Sequence, residues 1–150
     1  MLSMDQPDQA PMDAGTYRLG ETLKASSTAG YLQKATSKGD EVIAIVATEL
    51  IDTRTGLVRA AVAGERLGVW RLGCQKTVKV RSLTGVSWSA GNMAYQDDTD
   101  GQVSKTATTS RPIGHYPEYG IPDKATIESI TGRGTLVYIT LDVAIGTTNV

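Results

Sequence analysis

Catalysis needs groups that converge, and this sequence holds few from which to build a centre. It contains one histidine, His115, and one cysteine, Cys74. A thiolate beside an imidazole would make a nucleophile and its base, but neither residue stands in a supporting motif. The expected roles are a loop residue for His115, between Gly114 and Tyr116, and a small, partly buried thiol for Cys74. A zinc site takes three or four His, Cys or carboxylate ligands, which one His and one Cys do not supply in the usual set. The run Asp97-Asp98-Thr99-Asp100-Gly101 invites a calcium test. Aligning Gly101 with the glycine of an EF-hand loop puts Gln96, Asp98 and Asp100 at the first ligand positions and Ala107 where the closing glutamate belongs. The match fails, and a turn is the better reading. No phosphate loop, no Gly-x-Gly-x-x-Gly after a strand and no Gly-x-Ser-x-Gly occurs. The expectation is a protein that is not an enzyme, with no catalytic residues, no metal and no cofactor.

Charge is segregated along the chain although the formal net charge is only −1. Residues 1–52 carry four bases against eight acids, residues 53–82 carry seven bases against Glu65 alone, and residues 83–150 carry four bases against seven acids. The basic middle could meet an acidic partner or the chain's own acidic segments. It lacks the aromatic-rich basic strand pair of an RNA-binding sheet, so no nucleic-acid partner is expected. No apolar stretch approaches the roughly 20 residues of a membrane-spanning helix, so no membrane partner is expected. The opening Met1-Leu2-Ser3-Met4-Asp5 has no basic start and no apolar run, so no signal peptide is expected. One cysteine allows no intrachain disulfide, in keeping with synthesis in a reducing compartment.

The elements that would carry any site read as strands. There are 150 residues with 16 Gly and no Phe, so a single modest core must rest on Val, Ile, Leu, two Trp and some of the six Tyr. Short strands are expected near Tyr17-Arg18-Leu19 and Tyr31-Leu32-Gln33. Gly39-Asp40 turns into a run from Glu41 to Ala47 that is apolar on both faces and rich in β-branched residues, which predicts a buried strand. Thr53 to Gly56 is a turn, and Leu57 to Val62 a strand. In the next strand Trp70 and Leu72 share one face. In the segment 76–81, Val78 and Val80 point inward while Thr77, Lys79 and Arg81 point outward, as in a sheet with one wet face. Trp88 to Gly91 is a turn. Met93-Ala94-Tyr95 and Val103-Ser104-Lys105 flank an Asp-Gly hairpin loop. Residues 111–123, with three prolines and two tyrosines, read as a long irregular loop after a short Ile113-Gly114 strand. Strands are expected again from Ala125 to Ile130 and from Leu136 to Val143, the latter with Val137, Ile139, Leu141 and Val143 on one face. No long helix and no internal repeat is expected.

Residues 1–15 are rich in Asp, Gln, Pro and Met and show no hydrophobic period. Such a segment buries too little to offset its ordering entropy, so it reads as an arm that a partner would order. The organisation expected is an extended N-terminal arm with short strands over residues 1–38 and a β-rich domain over 39–150.

The order of motifs carries a resemblance. It runs Gly39-Asp40-Glu41-Val42, Ala63-Gly64-Glu65, a strand with Trp70, Val86-Ser87-Trp88-Ser89-Ala90-Gly91, Ala94-Tyr95-Gln96-Asp97, Asp100-Gly101-Gln102-Val103, Pro112-Ile113-Gly114 and a final alternating strand. This resembles the capsid decoration (cement) proteins of tailed bacteriophages over residues 39–143, with a Gly-Asp start, an Ala-Gly-x-x-x-Tyr strand, an Asp…Gly-x-Val hairpin and an Ile-Gly step. The first 38 residues have no counterpart, and the Arg111–Arg133 region is longer than the pattern needs. The resemblance implies an all-β fold, a small β-barrel or β-tulip-like domain with an extended N-terminal arm. It implies a structural protein of the virion, made in the host cytoplasm, that binds the outside of the expanded head. There it would bridge neighbouring subunits of the major capsid protein as a homo-oligomer, a trimer for preference.

The contacts are expected on the arm and the Pro/Tyr loop. The residues singled out are Met4, Asp5, Asp8, Asp13 and Tyr17, with Tyr116 and Tyr119 as aromatic anchors. The alternative is another phage module, a tail or fibre component whose exposed Trp or Tyr binds a host surface glycan.

Overall fold

The computed structural model describes residues 6–73, 76–107, 112–117, 128–129 and 135–141. Within them every regular element is a strand, so the all-β, small-barrel expectation is met. The strands are β1 (Asp8–Pro11), β2 (Thr22–Ala25), β3 (Leu32–Lys34), β4 (Ala44–Val46), β5 (Arg66–Arg71), β6 (Thr77–Ser82), β7 (Met93–Gln96), β8 (Val103–Ser104), β9 (Gly114–His115), β10 (Glu128–Ser129) and β11 (Thr135–Leu141).

They form two sheets. The first has the order β1-β5-β4-β2-β3, antiparallel throughout. A parallel bridge from Met12, just past β1, to Leu32 on β3 joins its two outer strands. In the second, β11 pairs with β6 along one edge, while its other edge takes β10 at its start and β9 at its end. The circuit β11-β6-β8-β7-β9 therefore closes on itself as a five-stranded barrel. Closure removes the unpaired edges on which strands aggregate.

Alternation along the strands builds two cores. Leu67 and Val69 of β5 pack with Ala10, Met12, Tyr17, Leu23, Leu32, Ala44 and Val46 inside the first sheet. Val78 and Val80 of β6 pack with Ala94, Val103, Ile113, Val137, Ile139 and Leu141 inside the second. Ile45, Trp70 and Leu72 project from the outer face of the first sheet into that second core. This is why the run around Ile45 is apolar on both faces: β4 lies between two cores.

The sheets are stitched at Gly20 and Gly101. Gly20 N–H donates to Val46 O at 3.0 Å and its carbonyl accepts from Arg81 N–H at 2.7 Å. At φ +85° a β-carbon on Gly20 would lie 2.7 Å from Leu136 Cδ2 and 2.9 Å from Arg81 N, so only glycine fits. Gly101, at the tip of the β7–β8 hairpin, donates to Ala35 O at 2.8 Å and accepts from Thr22 N–H at 3.2 Å. The Thr22 hydroxyl also bonds the Gln96 side chain, buried between the sheets.

Three expectations are corrected. Residues 8–38 are not an arm: β1, β2 and β3 are three of the five strands of the first sheet, so the division at 38/39 falls inside one sheet. The compositional argument failed because Ala10 and Met12, 2% and 0% exposed, supply the anchoring apolar surface that the polar residues between them conceal. Arg81 is outward from the barrel yet only 1% exposed, because the loop at residues 18–21 covers that face and Leu19 O accepts from its Nη2 at 2.7 Å. Residues 17–19 and 57–62 form no regular strand; Tyr17 lies in loop, and Val58 and Ala61 make only single bridges.

Candidate functional site

Among the described residues, three large hydrophobic side chains are exposed: Ile51 at 44%, Leu57 at 67% and Val62 at 66%. All fall in the one excursion between β4 and β5. Isolated apolar residues on a surface are ordinary, and contiguous exposed apolar patches mark contact surfaces. The local chemistry holds them out. Ile51 and Val58 pair in a narrow antiparallel ribbon, with Asp52 N–H bonded to Leu57 O at 2.8 Å. Gly56 N–H turns back to Asp52 O at 2.7 Å, and the Asp52 carboxylate accepts from Arg54 N–H at 2.8 Å. The turn is thereby capped, and Leu57 stands at its exit.

Val62 opens a second turn, closed by Glu65 N–H to Val62 O at 3.0 Å. The Glu65 carboxylate also accepts from Val62 N–H at 3.1 Å and from the Arg59 guanidinium at 3.0 Å. The Arg59 hydrogen bond draws the Glu65 pKa down to about 2, so the clasp is ionised across the physiological range. Backbone bonds between Gly15 and Ala61 run in both directions, at 3.1 and 2.7 Å, and attach this excursion to residues 13–17.

Beside that attachment lie two polar hollows of about 290 and 460 Å³ that share Lys34 and Asp100. Asp13 and Tyr17 line the first; Arg18, Glu21 and Asp98 line the second. Lys34 Nζ pairs with Glu21 at 3.2 Å within the lining. The excursion that carries the apolar side chains thus joins the first hollow, which Gly15 lines, at the Gly15–Ala61 junction.

The residues singled out from sequence fare differently. Asp8 is exposed on β1 but spends its charge on Arg71 Nε, at 3.0 Å. Asp13 accepts from the Ser26 hydroxyl at 2.6 Å and lines the groove. Tyr17 is corrected from contact residue to core residue: it is 4% exposed, its hydroxyl donates to Asp13 O at 2.8 Å, and burial pushes its pKa up to about 12. Tyr116 packs on the second core and stacks on Trp88, with ring centroids 6.2 Å apart. Met4, Asp5, Tyr119 and Cys74 lie outside the described residues, as does most of the 111–123 loop. His115 sits on β9 opposite Met93 and Thr140. Among the described residues no three His, Cys, Asp or Glu gather to hold a metal ion. The exposed surface at 51–62 was missed because Leu57 to Val62 was read as a strand of the sheet. The polar, glycine-containing turn Thr53–Gly56 beside Leu57 was the available sign.

No protein-family model matches this chain, and no curated protein matches it in sequence.

Proposed function

We propose that this protein is a non-enzymatic structural protein of a bacteriophage virion. It binds the outer surface of the expanded head and stabilises it by bridging neighbouring major capsid protein subunits. The observation that carries the reading is the group of exposed apolar side chains, Ile51, Leu57 and Val62, on one turn-capped excursion whose Ala61 is bonded to Gly15 in the wall of a polar hollow. An apolar centre with a polar margin is the usual anatomy of a protein-binding surface. The resemblance to decoration proteins supplies the partner. Its motifs fall on elements that make one unit: Ala94–Asp97 and Gln102–Val103 make up the β7–β8 hairpin, and Ile113-Gly114 leads into the strand that closes the barrel.

Binding only to the mature lattice stabilises that lattice by mass action, and copies joined as a trimer would multiply modest contacts through avidity. The test is co-sedimentation of purified protein with expanded, undecorated heads, followed by heating. The protein should pellet with the heads and raise the temperature at which they rupture. Absence of binding to heads at every stage of maturation would sink the proposal.

A further inference from the structure

A third cavity, of about 280 Å³, opens beside the stacked Trp88 and Tyr116 and is lined also by Ser82, Leu83, Gly85, Val86, Ser87 and Val137. Among the described residues its wall holds no acidic, basic or imidazole side chain, whereas the two polar hollows include Asp13 and Arg18. The aromatic pair is fixed from behind. Trp88 Nε1 donates to Ser82 Oγ at 3.0 Å, and Tyr116 exchanges backbone bonds with Asn92 and Gly91 at 2.8 Å each. Gly85, Ser87 and Trp88 line the cavity, and their backbone N–H groups donate to no acceptor among the described residues.

We propose that this cavity binds one ring of a neutral carbohydrate, a site separate from the lattice-binding surface and not dependent on it. The wall selects the class. A charged ligand finds no countercharge among the described residues of the wall and would lose its hydration. A purely apolar side chain would fill the space but leave those N–H donors unpaired, which is costly. A pyranose offers what both demands require: a C–H face to lay against electron-rich aromatic rings, and hydroxyls at its edge to accept from the backbone. Trp and Tyr, with two side-chain torsions each, lose little entropy in making such a platform.

The experiment titrates full-length protein with neutral oligosaccharides of glucose, galactose, mannose and N-acetylglucosamine, reading tryptophan fluorescence and the backbone amide shifts of residues 85–88. At least one sugar should give a saturable change in both. Ser87→Glu, an exposed substitution that puts a charge at the cavity, should weaken that binding at least tenfold while leaving head binding intact. Trp88→Phe, which keeps an aromatic ring on the core, should weaken it too. A panel with no response, or a response unchanged in both variants, overturns the proposal. So does loss of head binding in Ser87→Glu without any sugar response, because the cavity would then be an anchor for a protein side chain.

Discussion

Arg81 and Gly20 are joined backbone to backbone. Arg81 N–H donates to Gly20 O at 2.7 Å while the Arg81 guanidinium reaches Leu19 O, also at 2.7 Å. β11 pairs with one edge of β6 at Arg81, while β8 pairs with the other edge only at Ser82, so the loop of one sheet completes the hydrogen bonding of the other. Gly20→Ala should therefore cost about 3 kcal/mol or more, adding backbone strain to a steric clash. Gly30 has nearly the same φ, +84°, but nothing within 4 Å of an added β-carbon. Gly30→Ala should cost only about 1 kcal/mol. Urea denaturation of both variants separates contact from conformation; equal losses would show that the seam contributes nothing.

The first strand offers a second prediction. Met12 is fully buried, and Met12→Ala should cost about 2–5 kcal/mol through the cavity it leaves. Removing residues 1–12, which takes away β1 and Met12, should unfold the first sheet. A thermal midpoint insensitive to that deletion would restore the arm that composition suggested.

Alkaline pH probes Tyr17. Its folded pKa is raised to about 12 from an ordinary value of 10.0, chiefly by burial. Between these values the folded state holds a proton that the unfolded state releases, so stability falls as pH rises. Tyr17→Phe should flatten the pH dependence of the unfolding free energy across that interval. An unchanged slope would mean that Tyr17 ionises in place.

Acid probes the clasp at Glu65. Its folded pKa is lowered from 4.5 to about 2. The stability it contributes is fully present above the unfolded value and is lost as pH falls through the folded one. The stability difference between wild type and Glu65→Gln, measured by denaturation, should therefore shrink steadily from pH 5 to pH 2. A difference independent of pH would place the effect elsewhere than in the charge.

Strand type was legible wherever side chains alternate against one core. Val78 and Val80, then Val137, Ile139 and Leu141, face inward as their spacing requires, and the Asp100-Gly101 turn closes the hairpin expected of it. What period cannot reveal is a second layer. Arg81 reads as a solvated base because the alternation of β6 reports only which side faces the barrel, not what covers the other. The same limit hid β1: in Asp8-Gln9-Ala10-Pro11-Met12 only the pairing with β5 explains why Ala10 and Met12 are buried. Leu57 and Val62 erred in the opposite direction. Their segment was expected as a strand, while the turns on either side hold them in solvent.

The central claim is that the surface at Ile51, Leu57 and Val62 docks on the expanded head. Its most direct measure is the affinity of the Leu57→Asp, Val62→Asp double variant for undecorated expanded heads, alongside the wild-type protein. Both sites are exposed, so the variant should keep its thermal midpoint. The account predicts that its binding weakens at least tenfold and that it no longer protects heads from heat. Wild-type affinity in a folded double variant would contradict it.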